Sequence, residues 1–178
     1  MYFLKLLHIF LTLFVIFRVH QFTKVEMFGI CLPETSDQLL KDFLTIQEEL
    51  YNELELGYRI LDMPVCELGS PAYRKYDIEA WMPGRQMFGE ISSCSNCTDY
   101  QARRLNLTYR DKDGSAQFVQ TVNGTACAVP RLILALTETN QMPNGGLAIP
   151  KALQPLMRKE MIGKQKQIPN LQTTRDKR

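Results

Sequence analysis

The sequence has 178 residues, 45% of them hydrophobic and 22% charged, with a formal net charge of +2. That length suits one hydrophobic core, and the composition is that of an ordinary globular domain. The near-neutral balance announces neither nucleic acid nor membrane. Five cysteines in no framework spacing point to a reduced compartment rather than a disulfide scaffold. Cys94-Ser95-Asn96-Cys97 has no second pair, and the histidines are His8 and His20, so zinc is not expected.

Residues 1–16, MYFLKLLHIFLTLFVI, are almost wholly apolar. The run is shorter than the roughly 20 residues that span a bilayer, and no small-residue cleavage pattern follows. It suits a signal-peptide core, a short anchor or a buried strand alike. Phe17 to Phe28 has the strand period, with Arg18, His20, Phe22, Lys24 and Glu26 on one face. Val19, Gln21, Thr23, Val25 and Met27 fall on the other. The first face is either plain solvent-exposed sheet or a platform for a ligand, and an aromatic between His and Lys favours the platform.

Thr35 to Gly57 is the clearest helix. Ser36 is placed to cap it, Leu39, Phe43, Ile46, Leu50 and Leu54 form its core stripe, and Gly57 ends it. Tyr58 to Met63 reads as a strand closed by Pro64. Asp77 to Met82 is another, with Asp77, Glu79 and Trp81 opposite in parity to Ile78 and Met82, broken by Pro83-Gly84. Gly89-Glu90-Ile91-Ser92-Ser93 then sets a carboxylate and a hydroxyl three residues apart at a strand end, oxygen ligands of the kind that suit Mg²⁺ bridging phosphates. Leu105 to Arg110 alternates, Asp111-Lys112-Asp113-Gly114 makes a hairpin loop, and Gln117 to Val122 returns. Asn123-Gly124-Thr125 reads as a turn in which Thr125 caps the next helix. Val129, Leu132, Ile133, Leu134 and Leu136 give that helix its apolar stripe, and Pro130 is tolerated in its first turn. Arg131 is then a cation beside helix N–H groups, an arrangement that suits a polyphosphate but also occurs in ordinary strand–helix units. Asn96, Asn106 and Asn123 head N-x-Thr sequons that would matter only in a secreted chain. The tail from Arg158 carries Lys159, Lys164, Lys166, Arg175, Lys177 and Arg178 against Glu160 and Asp176, and is expected to be solvated and disordered.

Hairpin-joined strands with one helix before and one after describe an α+β fold, an antiparallel sheet flanked by helices. The phosphate-binding patterns G-x-G-x-x-G and G-x-x-x-x-G-K are missing, and a single histidine inside the domain leaves no Ser-His-Asp arrangement.

Four blocks in order resemble the seryl-tRNA synthetases, a family of class II aminoacyl-tRNA synthetases. FRVHQFTKVEMF (17–28) resembles the second strand of the family's motif 2. AYRKYDIEAWMP (72–83) and GEISSCSNCTDYQARR (89–104) resemble its next two blocks, and Asn123 to Gln141 resembles motif 3. Tyr73-Arg74-Lys75, the ACAVPR wording and the C-terminal extension look most like the animal mitochondrial branch.

The resemblance implies a class II catalytic core that uses ATP and Mg²⁺ to activate serine and then esterifies tRNA(Ser). It implies that Phe22 stacks on adenine, that Glu26 and Thr125 bind serine, and that Glu90, Ile91, Ser92 and Ser93 bind ATP, with Glu90 and Ser93 acting through Mg²⁺. Arg131 holds the terminal phosphate, and Arg131 and Glu90 are the catalytic pair. A mitochondrial matrix location follows, although no transit peptide is recognisable. The match starts at Phe17. The family's tRNA-binding hairpin, its motif 1 homodimer interface and its first motif 2 strand have no counterpart in the sequence. Residues 1–16 are therefore expected to be a leader without assigned role, 17–152 the C-terminal part of the catalytic domain, and 153–178 a basic tail, with little activity from the chain alone. The alternative is a non-catalytic binding protein, anchored or secreted through its apolar N-terminus.

Overall fold

The computed structural model of the chain describes residues 16–163. The apolar run up to Val15 and the basic residues from Lys164 lie outside them. The elements in order are β1 (Lys24–Cys31), α1 (Ser36–Glu53), β2 (Tyr58–Asp62), β3 (Arg74–Met82), β4 (Met87–Asn96), α2 (Tyr100–Leu105), β5 (Thr108–Arg110), β6 (Ala116–Phe118), β7 (Gln120–Ala128), α3 (Val129–Thr139), β8 (Leu147–Ala148), α4 (Gln154–Met157) and β9 (Met161–Ile162). Five strands form one antiparallel sheet in the order β1-β7-β4-β3-β2, and β5–β6 and β8–β9 are separate ribbons. The expected α+β architecture is what the chain forms.

Alternation sorts the sheet into two faces. Ile78, Ala80 and Met82 of β3, each 0% exposed, point with Ile91, Cys94 and Val122 to the face that α1 and α3 cover. Leu134 and Ala135 of α3 and Tyr51 of α1 complete that core. The opposite face holds the polar members of each strand, and only the short α2 among the described helices touches it, where Thr121 Oγ1 donates to Gln101 Oε1 at 2.7 Å.

Several expected elements shift, each for a physical reason. The strand expected over 17–28 begins only at Lys24. Its partner β7 ends at Ala128, opposite Lys24, and the chain then enters α3, so residues 18–23 have no strand to pair with. The run expected as a strand over 105–110 is the end of α2, a left-handed Asn106 (φ 55°) and the three-residue β5. Asn123-Gly124-Thr125 is no turn. It lies in mid-β7, with Gly124 between Met27 of β1 and Cys94 of β4. A Cβ on Gly124 would meet Met27 Cε and Phe43 Cδ2 at 3.0 Å, so glycine is there for close packing. Thr125 caps nothing, and α3 starts without a side-chain cap.

In α1 the buried residues are Ser36, Leu40, Phe43, Gln47 and Tyr51; Phe43 is in the stripe read in sequence, and Leu39 and Leu54 of that stripe pack at the core's edge. Ile46 and Leu50 are 42% and 39% exposed, while Gln47 is wholly buried. The helix ends at Glu53 rather than Gly57, and Glu55 takes the left-handed backbone (φ 56°). Ser36 Oγ donates back to the Pro33 carbonyl rather than capping. In α3, Leu132 and Leu136 pack on the core as expected, but Ile133 is exposed.

Gln47 joins the helix to three strand groups. Its Nε2 amide donates to Ser92 Oγ at 2.8 Å, the Ser93 carbonyl at 3.0 Å and the Thr125 carbonyl at 2.9 Å. Replacing Gln47 with Leu takes the amide donor from all three and leaves only the Thr125 carbonyl with a side-chain partner, the Ser92 hydroxyl. The expected cost is roughly 2–3 kcal/mol, read by urea unfolding. An unchanged midpoint would show the amide to be dispensable.

Tyr51 donates its hydroxyl to the Ala126 carbonyl at 3.2 Å. Burial pushes its phenol up to about 12, against the opposing influence of the Ser92 hydroxyl. The unfolded chain sheds this proton near pH 10 and the folded chain near 12, so the stability is full below pH 10 and drains away between the two. Tyr51→Phe should therefore be about 1 kcal/mol less stable than wild type at pH 8. That gap should close by pH 11 as the wild type loses about 1.4 kcal/mol. Parallel stability curves for the two proteins would contradict the assignment.

Candidate active site

The uncovered face of β1, β7, β4 and β3 is where the expected site residues meet. Register places Glu26 opposite Thr125 and Asp77 opposite Ser93, with their side chains on this face. Thr125 Oγ1 donates to Glu26 Oε2 at 3.1 Å, linking residues 99 apart in sequence. Lys24 Nζ also reaches Glu26 Oε2, at 2.7 Å. Lys24 and Glu26 are two apart on β1 and so share a face; a register shift between Val25 and Glu26 leaves Ala126 of β7 unmatched.

Arg131 extends from the first turn of α3 back to the sheet. Its Nη1 donates to the Glu90 carboxylate at 2.9 Å and to the Glu90 carbonyl at 3.1 Å. Its Nε reaches the Phe17 carbonyl at 3.3 Å. Pro130 sets the helix start without losing a needed N–H, which fixes where the arginine begins. Phe22, 50% exposed, lines a small open cavity with Arg131, Pro130 and residues 16–19. Thr125–Glu26 and Arg131–Glu90 are thus two linked pairs across four elements, β1, β7, β4 and α3, with Phe22 from the segment before β1 beside Arg131.

Ile91 and Ser92 separate from that set. Ile91 is the extra residue where the β3–β4 register shifts, and its side chain is 1% exposed in the core. Ser92 also faces the helices, donating its hydroxyl to the Thr125 carbonyl. Any ligand on the open face reaches these two only through backbone groups. Ser93 is the serine of the pair that faces outward.

The open face is densely and evenly charged. Glu26 pairs with Lys24, Glu90 with Arg131, Asp77 with Lys75 at 2.6 Å and Glu79 with Arg59 at 2.7 Å. Burial pushes the Asp77 carboxyl above its usual range, and Lys75 opposes this. Ordered ion pairs on a half-buried surface supply preset charges for a polar ligand, at a desolvation cost that the pairing offsets.

Sequence reasoning missed Gln47, which sets the backbone of Ser93 and Thr125 from behind the sheet. The signal was available: Leu40, Phe43 and Tyr51 at helical spacing place Gln47 inside. Asn123 is a further face residue that its turn-like composition conceals. It sits beside Phe28 and Ser95 on the open face, and its Oδ1 accepts from Cys97 Sγ at 3.4 Å. Cys94 and Cys97 both lie buried and free, and burial raises the Cys94 thiol to about 12. No group of three or more metal-ligating side chains occurs among the described residues.

Comparison with known proteins gives this geometry a family. The chain is 54% identical over 156 residues to the mitochondrial serine–tRNA ligase of Mus musculus, covering 86% of this chain and 30% of that protein. It is 51% identical over 148 residues to the serine–tRNA ligase of Rubrobacter xylanophilus, covering 83% and 35%. Among solved structures, the seryl-tRNA synthetase of Pyrococcus horikoshii complexed with ATP superposes with a TM-score of 0.82 at 45% identity, covering 85% of this chain and 34% of that one. The cytoplasmic enzyme of Naegleria fowleri in complex with AMP gives 0.78 at 37%, covering 83% and 36%. The chain thus spans about a third of the length of the relatives it matches. A family model for the class II tRNA synthetase core domain (G, H, P, S and T) matches residues 13–140, and the chain belongs to that family.

Proposed function

We propose that the chain carries the ATP and serine pockets of a serine–tRNA ligase, which activates serine to seryl-adenylate and transfers it to tRNA(Ser). The observation that carries this reading is the pair of links Thr125–Glu26 and Arg131–Glu90 on one sheet face beside Phe22. The relatives are named for serine, and two solved neighbours hold ATP or AMP.

In this reading Glu26 accepts the serine ammonium and the Thr125 hydroxyl meets the serine side chain. Glu26 already holds Lys24 at 2.7 Å, so the site is arranged for a cation at that carboxylate. Phe22 offers an exposed ring face to adenine. Arg131 binds the terminal phosphate, trading its bonds to Glu90 for phosphate oxygens. The donor set fits magnesium. Glu90 and Ser93 present hard oxygens on one face, and one or two protein ligands completed by phosphates and water is how Mg²⁺ is usually held. Mg²⁺ would neutralise charge on the phosphates there.

No protein nucleophile is needed. A serine carboxylate oxygen bonds to the α-phosphorus, the bond to the bridging oxygen breaks, and pyrophosphate leaves with its electron pair. The chain supplies alignment and charge neutralisation. The adenylate carbonyl is then taken by a ribose hydroxyl of the tRNA, releasing AMP. We place residues 17–152 as the C-terminal part of that catalytic domain and 153–178 as a basic tail. Mitochondrial translation is the setting that the mouse and Bos taurus relatives favour.

A non-reactive seryl-adenylate analogue tests the reading by calorimetry. The chain should bind it in preference to glycyl and prolyl analogues. Glu26→Gln should weaken that binding ~10- to 100-fold, the worth of a charge-assisted hydrogen bond. Equal affinity for all three analogues, or an unaffected Glu26 variant, would refute the serine assignment.

A further inference from the structure

Arg131, the cation that the proposed function gives to the terminal phosphate, is held differently at its two ends. At the root of the guanidinium, Nε donates to the Phe17 carbonyl at 3.3 Å. The Phe17 ring lies against the same group, with Arg131 Cζ 4.7 Å from the ring centroid. At the tip, Nη1 donates to the Glu90 carboxylate and carbonyl, and Nη2 makes no hydrogen bond among the described residues. A phosphate that takes the place of the Glu90 carboxylate meets the tip and leaves both Phe17 contacts standing.

The ring itself is fixed from the interior. Phe17 packs against the core cluster that holds Met82 and Ile91. It comes so close to Gly89 of β4 that a Cβ there would lie 3.0 Å from Phe17 Cε2 and 2.9 Å from Met82 Cε. Arg85, from the turn between β3 and β4, reaches the same ring, with its Cζ 4.6 Å from the centroid. A side chain seated in close-packed core cannot drift without displacing its neighbours. Arginine carries much rotamer freedom, and contacts that order it before an anion arrives lower the entropy lost on binding.

We propose that Phe17 is a positioning residue for Arg131: its core-seated ring and its carbonyl hold the guanidinium in the orientation that meets the terminal phosphate of ATP. This rests on the reading of Arg131 as the terminal-phosphate contact. Phe17 acts through the arginine and needs no contact with the nucleotide. Its effect is therefore confined to ligands that carry the phosphates Arg131 binds.

Calorimetric titration of the whole chain with ATP and with AMP separates this role from plain packing. AMP lacks the terminal phosphates, so a fault in the arginine's placement shows in ATP alone. Phe17→Leu and Phe17→Met keep apolar bulk against Met82 and Gly89 but lose the ring face. Each should bind ATP roughly 3- to 10-fold more weakly than wild type with AMP affinity unchanged, within the range of a cation–π contact. Either one decides the matter if the other fails to fold. Phe17→Tyr keeps the ring and should bind both nucleotides as wild type does. Arg131→Ala should lose most of the difference between ATP and AMP. A folded leucine or methionine variant that keeps the wild-type ratio of ATP to AMP affinity, while Arg131→Ala loses it, overturns the positioning role and leaves the phosphate reading standing. Phe17→Tyr as weak for ATP as Phe17→Leu overturns the role as well. No ATP binding by wild type, or a wild-type ratio in Arg131→Ala, overturns the phosphate reading and the positioning role with it.

Discussion

Strand β7 is hydrogen-bonded along both edges, by β1 on one side and β4 on the other, and the rest of the fold depends on that double pairing. It brings Glu26, Thr125 and Ser93 onto neighbouring strands from three distant parts of the chain. The pairing needs Gly124, because Met27, Phe43 and Cys94 close over it on the helix side. It also needs Gln47, whose amide ties the carbonyls of Ser93 and Thr125 together from within the core. A buried amide with several acceptors is costly to disturb and holds neighbouring backbone in fixed relation. The carboxylates on the far side of the sheet gain their fixed positions from it.

The passage from β7 into α3 makes the second connection. The strand ends at Ala128, Pro130 lies in the first helical turn, and Arg131 turns back over β4 to Glu90. One side of the sheet therefore joins a carboxylate that suits an ammonium to a cation that suits phosphate. The carboxylates of Glu26, Asp77, Glu79 and Glu90 on this face are each paired with a cation, which limits the desolvation cost of holding them half-buried. A ligand that enters exchanges one set of partners for another instead of burying bare charge.

Much of this was legible in the sequence, for definite reasons. The parity of Ile78, Ala80 and Met82 against Asp77, Glu79 and Trp81 is enforced by the core, and β3 follows it. The β5–β6 hairpin was readable because Asp111 and Gly114 have local work: Asp111 Oδ1 accepts from the backbone of Asp113 and Ser115, and Gly114 has φ 80°. What could not be read depended on partners far away. Asn123-Gly124-Thr125 has turn composition, and only β1 and β4 on either side make it a strand. Residues 18–23 alternate well, yet β7 has already turned into a helix where they would need a neighbour. Gln47 lost to Ile46 and Leu50 because apolar residues were counted as buried, whereas the interior needed a donor. The four family-like blocks were strong enough to show the family despite these shifts, and of the residues they pointed to, Ile91 and Ser92 face the core.

The account stands on one sheet face gathering one ligand. Amide hydrogen exchange of the chain, with and without the seryl-adenylate analogue, tests this most directly. Slowed exchange is expected in three separated stretches, around residues 22–28, 90–93 and 123–131, with β2 and the β5–β6 ribbon unchanged. Protection confined to one of those stretches, or appearing at β2 or β5–β6 instead, would contradict it.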